Sequence, residues 1–117
     1  MDAIAKLGIT DATLLDVGGG VGAVQHELLS RGVRSSVDVD ASLAFLDAAR
    51  REAEQRGTSD RMEFMHGDFV SIAPTIAEAD VVTLDRVICC YRDMDALVTE
   101  SASRARRVYG IVIPRDR

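Results

Sequence analysis

Leu14-Leu15-Asp16-Val17-Gly18-Gly19-Gly20-Val21-Gly22 is the stretch that decides the fold: an apolar run ending in an acid, then glycines at alternating positions before a segment of helical period. Glycine admits positive φ and lets backbone amides approach a ligand with no Cβ in the way, so a strand that turns through such a loop into a helix is a ligand-cradling device. Gly18, Gly20 and Ala23 also satisfy the loose G-x-G-x-x-G/A pattern of dinucleotide sites, and the glycines alone do not separate the two uses. Asp16 does, because a carboxylate beside the loop repels a pyrophosphate and favours an ammonium.

Outward from this loop, strand-length apolar runs alternate with segments of helical period, which predicts a parallel sheet with crossover helices. Strands are expected at Thr13 to Val17, Ser35 to Val39, Arg61 to Met65, Val81 to Leu84 and Val108 to Ile113. Helices are expected from about Val21 to Arg31, Ser42 to Arg56 (Leu43, Leu46, Ala49 and Ala53 inward) and Met94 to Arg107, with a loop or single helical turn around Pro74. The predicted fold class is α/β, a Rossmann-like doubly wound sheet of about five mostly parallel strands in three α/β/α layers. In such sheets ligands bind at the carboxyl ends of strands where the winding reverses.

The acids at successive strand ends follow that rule. Asp38 stands 22 residues beyond Asp16, where a carboxylate can accept two hydrogen bonds from a ribose diol. Asp40 is its rival, at a position suited to capping the next helix. Gly67-Asp68-Phe69 places an acceptor and an aromatic ring where an adenine would lie, given a ribose at Asp38.

With Val37-Asp38-Val39-Asp40 and Met65-His66-Gly67-Asp68-Phe69, the opening stretch resembles the successive motifs of class I (Rossmann-like) S-adenosylmethionine-dependent methyltransferases. The resemblance implies S-adenosylmethionine as cofactor. It implies that Gly18, Gly20 and Gly22 line the methionine part with Asp16 near the ammonium, and that Asp38, with Val39 beside it, holds the ribose. Asp68 and Phe69 would then flank the adenine. Asp85, opening the segment that runs to Tyr91, would pass under the methyl group. No catalytic base is identified, and none is required unless the nucleophile must lose a proton. Leu84-Asp85-Arg86-Val87 replaces the Asn/Asp-Pro-Pro-aromatic tetrapeptide of adenine- and glutamine-directed members, whereas Val87 to Asp93 is more similar to members that methylate small molecules.

Composition bounds the rest. The 117 residues fit one domain, and 47% hydrophobic with 4% aromatic content suits a Val/Leu/Ile/Ala core. A net charge of −5 argues against nucleic acid as a partner, so a small-molecule acceptor is expected. No apolar run nears the ~18–20 residues of a membrane span, and adjacent Cys89 and Cys90 suit a reducing cytoplasm. Metal ligation is not expected. His26 is expected to be exposed, and Arg104, Arg106 and Arg107 to occupy the last turn of a helix. His66, Asp85, Arg86 and Tyr91 are the polar groups that could touch an acceptor.

The chain stops directly after the fifth strand, where complete members of that family usually add two more. The expectation is therefore an incomplete core spanning 1–117, with an apolar edge at 108–113 able to self-associate. A non-catalytic cofactor-binding module and a nicotinamide-dependent dehydrogenase fragment are the alternatives.

Overall fold

A computed structural model describes residues 8–19, 22–85 and 93–112. The strands are β1 (Thr13–Val17), β2 (Ser35–Asp40), β3 (Met62–His66), β4 (Ala79–Asp85) and β5 (Ala105–Val112). Between them run α1 (Ala23–Ser30), α2 (Leu43–Arg56), the single turn α3 (Phe69–Ile72) and α4 (Met94–Ala102), with 3-10 turns at Ser59–Arg61 and Ala73–Thr75. The strands form one sheet in the order β3-β2-β1-β4-β5, every neighbouring pair parallel. The chain winds outward from β1 through β2 to β3, then returns to the other side of β1, so the winding reverses between β1 and β4.

Alternation along β1 splits its leucines between two cores. Leu14 packs with Val24, Leu28, Val33, Ala53 and Val81 under α1 and α2. Leu15 packs with Val17, Val39, Phe69, Val82 and Leu97 under α3 and α4. Both faces of the central strands are covered, which is why β1 and β4 read as continuous apolar runs.

The helix ends are set by side chains. Ser42 caps α2, its hydroxyl accepting from the Phe45 amide at 3.2 Å, and Gly57 ends it with φ 74°. Replacing Ser42 by Ala leaves that amide without its cap, and a loss of about 1 kcal/mol in unfolding free energy is expected in denaturant titration. An unchanged midpoint would show that the cap contributes nothing here.

Four expectations are corrected. The final helix ends at Ala102, so Arg106 and Arg107 lie in β5 and Arg104 in the turn before it. Pairing decides this: Arg106 meets the Asp80 carboxylate of β4 at 3.1 Å, and Arg104 donates twice to the Ala73 carbonyl, at 3.2 and 2.6 Å. The helix preceding β2 begins at Ala23, Gly22 being its cap. His26 is buried, because α1 packs against α2 as well as the sheet. Leu43 is exposed rather than inward, as is Phe45, both lying in the first turn of α2. Of the sequence assignments, Gly20, Arg86, Cys89, Cys90, Tyr91 and Ile113 lie outside the described residues, as does the side chain of Asp85.

Candidate cofactor site

The carboxyl ends of β1, β2 and β4 place Thr83, Asp16 and Asp38 side by side in register, all three fully buried. The Asp16 carboxylate accepts from the Thr83 hydroxyl at 2.8 Å and from the Gln25 amide at 3.4 Å. Gln25 in turn accepts from the Ser36 hydroxyl at 2.8 Å, so a buried polar chain joins β2, α1, β1 and β4. Burying charge costs several kcal/mol per ion unless it is matched by hydrogen bonds or opposite charge. Two carboxylates buried at one sheet end, where the winding reverses, make this end the candidate site.

The glycine loop lies directly on these carboxylates. A Cβ at Gly19 would stand 2.5 Å from an Asp38 oxygen, 2.7 Å from an Asp16 oxygen and 2.7 Å from the Gln25 amide nitrogen, closer than a Cβ tolerates. The loop holds its place through the Gly18 amide on the Val39 carbonyl at 2.7 Å and the Gly22 amide on the Gly19 carbonyl at 2.9 Å. Gly22 caps α1 at φ 87°, where a side chain would be strained. Sequence reading passed over Gly19 and Gln25; the uninterrupted Gly18-Gly19-Gly20 run was the available signal for the first, and nothing marked the second.

Next to the loop is a cavity of about 120 Å³, lined by Val17, Gly18, Val39, Asp40, Ala41, Gly67, Asp68, Phe69 and Leu97. Gly18, Val39, Asp68 and Phe69, expected from sequence to bind the cofactor, line it, and so does Asp40, the rival acid; Asp16 and Asp38 are fully buried under Gly19 and do not line it. Asp68 caps α3, accepting from the Ser71 amide at 3.2 Å and hydroxyl at 3.0 Å, and Phe69 is buried. Asp40 accepts from the Ser42 amide at 2.8 Å, which holds the turn leading into α2. His66 at the end of β3 pairs a ring nitrogen with the Ala41 carbonyl at 3.0 Å and ties the loops after β2 and β3 together. Asp85 is the last residue of β4. Among the described residues no group of His, Cys, Asp and Glu is placed to hold a metal ion, and no helix is long and apolar enough to cross a membrane.

His26 lies just below this loop, its amide bonding the Gly22 carbonyl at 2.9 Å. Burial pushes its pKa below the ordinary 6.5, the Arg56 cation adds to that, and Glu52 opposes it. A depressed histidine pKa favours the folded state fully above 6.5; as pH falls through 6.5 the unfolded chain takes up a proton that the folded one resists, and stability declines. His26→Leu is expected to flatten the fall in Tm on acidifying from about pH 7 to pH 5. An identical fall in the two proteins would rule out this linkage.

The methyltransferase domain family model matches residues 15–113. Release factor glutamine methyltransferase of Chlorobaculum tepidum is 30% identical over 97% of this chain and 46% of its own length. The tRNA 5-carboxymethoxyuridine methyltransferase of Escherichia coli K12 is 35% identical over 54% of this chain and 24% of its own. Among solved structures, a SAM-dependent methyltransferase from Thiobacillus denitrificans in complex with S-adenosyl-L-homocysteine aligns with TM-score 0.73 at 23% identity, covering 89% of this chain and 41% of that one. At that identity the likeness shows the fold. The chain spans less than half the length of the two curated relatives. By their names these relatives act on a protein and on a tRNA, which overturns the expectation of a small-molecule acceptor without nucleic acid. The charge argument failed because a net charge of −5 describes these 117 residues alone, while acceptor recognition in the relatives can draw on the rest of chains more than twice as long.

Proposed function

We propose, for a chain that belongs to the methyltransferase domain family, that it binds S-adenosylmethionine at the β1–β2–β4 end of its sheet and serves methyl transfer. The observation that carries this reading is the loop of glycines lying on the buried Asp16 and Asp38. That cradle has no room for a Cβ, and its carboxylates suit an ammonium and a diol rather than a pyrophosphate. Its chemistry fits an amino-acid nucleoside better than a dinucleotide, which sets aside the nicotinamide alternative.

In this reading Gly18, Gly20 and Gly22 carry backbone amides past the methionine part, Asp16 neutralises its ammonium, Asp38 takes the ribose hydroxyls beside Val39, and Asp68 and Phe69 receive the adenine in the adjoining cavity. Asp85, the last residue of β4, opens the segment assigned to the methyl side. The cofactor supplies an activated methyl on a positively charged sulfur. The protein's own tasks are positioning and exclusion of water, and none of its residues need donate or accept a proton for the transfer itself.

For the acceptor, the names of the curated relatives favour a macromolecule. The Leu84-Asp85-Arg86-Val87 stretch departs from the tetrapeptide of glutamine-directed enzymes and so weighs against a glutamine side chain.

Calorimetric titration with S-adenosylmethionine, S-adenosylhomocysteine and NAD tests the site. Binding of both adenosyl ligands without NAD supports it, and NAD binding alone would replace it with the dehydrogenase reading. Incubation with methyl-labelled cofactor and cell protein or RNA then reads the acceptor class. Cofactor binding with no label transferred to either would select the non-catalytic module instead.

A further inference from the structure

Gln25 stands apart from the groups that the proposed site assigns to the cofactor, yet it is fully buried and joins three of the elements around it. From α1 its carbonyl oxygen accepts from Ser36 on β2 at 2.8 Å, and its amide nitrogen reaches the Asp16 carboxylate on β1 at 3.4 Å. The same nitrogen lies 2.7 Å from where a Gly19 Cβ would be, so it packs against the loop as well. A glutamine presents a donor and an acceptor on one rigid amide. Here Ser36 donates to the carbonyl oxygen while the amide nitrogen donates to Asp16, and the two bonds together hold the amide in place. Thr83 holds the other Asp16 oxygen at 2.8 Å, so the carboxylate is gripped from two sides.

We propose that Gln25 is a positioning residue for cofactor recognition: held by Ser36, it keeps the Asp16 carboxylate aimed beneath the glycine loop, and so tunes selectivity for ligands that carry an ammonium. The inference rests on the cofactor reading given above. Donation to a carboxylate stabilises its charged form, and in a desolvated site the loss of one donor shifts the group toward protonation. A protonated Asp16 has no attraction for an ammonium. The adenine, in the reading above, lies with Asp68 and Phe69 in a cavity that Gln25 does not line.

Two ligands separate these effects. S-adenosylhomocysteine carries the amino-acid moiety; 5′-methylthioadenosine keeps the adenine and ribose and lacks it. Gln25→Leu, close in volume, is expected to weaken S-adenosylhomocysteine by about tenfold, the scale of one hydrogen bond to a charged group, while methylthioadenosine affinity stays as in the wild type. Ser36→Ala, which frees the amide to turn, should reproduce the pattern at smaller amplitude, and it carries the test if Gln25→Leu fails to fold.

Equal losses for both ligands would reduce Gln25 to a packing residue and overturn the proposal, as would unchanged affinity for both. Failure of the wild-type chain to bind S-adenosylhomocysteine would sink the cofactor reading itself, and this inference with it. That result is distinct from a wild type that binds and a variant that binds equally well.

Discussion

Asp38→Ala is expected to lower S-adenosylhomocysteine affinity by at least about 100-fold while leaving the melting temperature unchanged or raised. Two hydrogen bonds from a ribose diol to a carboxylate are each worth about 1.5–3 kcal/mol, and 1.4 kcal/mol is tenfold in a binding constant. Stability should not suffer, because the substitution removes a fully buried carboxylate standing in register beside that of Asp16, and relief of that like-charge contact offsets the loss of the interaction Asp38 makes in the fold. The divergence of the two readouts is the informative part. Affinity and melting temperature falling together would make Asp38 a structural residue, and unchanged affinity would move the ribose to Asp40, whose carboxylate now holds the Ser42 amide beside the cavity. Asp40→Ala belongs in the same experiment for that reason.

Leu28→Ala should give the largest loss of stability. Leu28 is fully buried on α1, in the core shared with Leu14, Val24, Val33 and Ala53. Its carbonyl also accepts from the amides of Arg31 and Val33, which turn the chain out of α1 toward β2. Truncating a leucine at such a position costs roughly 3 kcal/mol or more, from lost transfer energy and the cavity left behind. For a domain of this size that shifts Tm downward by more than about 10 °C. Because α1 also carries Gly22 as its cap and Gln25 as its inward amide, cofactor affinity should fall alongside. A Tm loss of only a degree or two would mean that α1 repacks on the sheet and does not anchor the loop.

The sheet was legible because the sequence states it repeatedly. Thr13–Val17 has the bounds expected from its apolar run, and Gly57 stops α2 where a left-handed residue is needed. The other strand ends differ from expectation by one to three residues, most at the start of β5. The last helix was misjudged for a physical reason: Ala105 to Arg107 carries no strand pattern, and only the chance to pair with β4, with Arg106 bridged to Asp80, draws it into β5. Burial of His26 was equally invisible, since an amphipathic pattern shows the face toward a sheet but not a second face toward a neighbouring helix.

Within the candidate site, motif spacing points to positions along the chain and is blind to residues defined by what they touch. Gly18, Val39, Asp68 and Phe69 share one cavity as the order of motifs implied. Gln25, Thr83 and Ser36 contribute to the same site through side-chain contacts across four elements, and no spacing rule links position 25 to positions 16, 36 and 83. Asp38 and Asp40 differ by two positions in β2, yet one carboxylate is buried against Gly19 and the other lines the cavity and holds a turn, a distinction that only coordinates supply.

The sheet order also sets a sequence of events. β1 pairs with β2 across about twenty residues but with β4 across 67, as the Asp16–Thr83 hydrogen bond records. Joining distant segments spends more chain entropy before any contact repays it, and parallel pairings of high sequence separation form late. The βαβαβ half that ends at His66 therefore has the shorter closures and can assemble while the remainder is still leaving the ribosome. Asp16, Asp38 and the glycine loop are all in that early half, whereas Thr83, which grips Asp16 from the far side, arrives with the last pairings. Maturation of the cofactor cradle is thereby tied to completion of the sheet, so that a nascent chain halted before β4 presents its two acids without the hydroxyl that Thr83 supplies to Asp16.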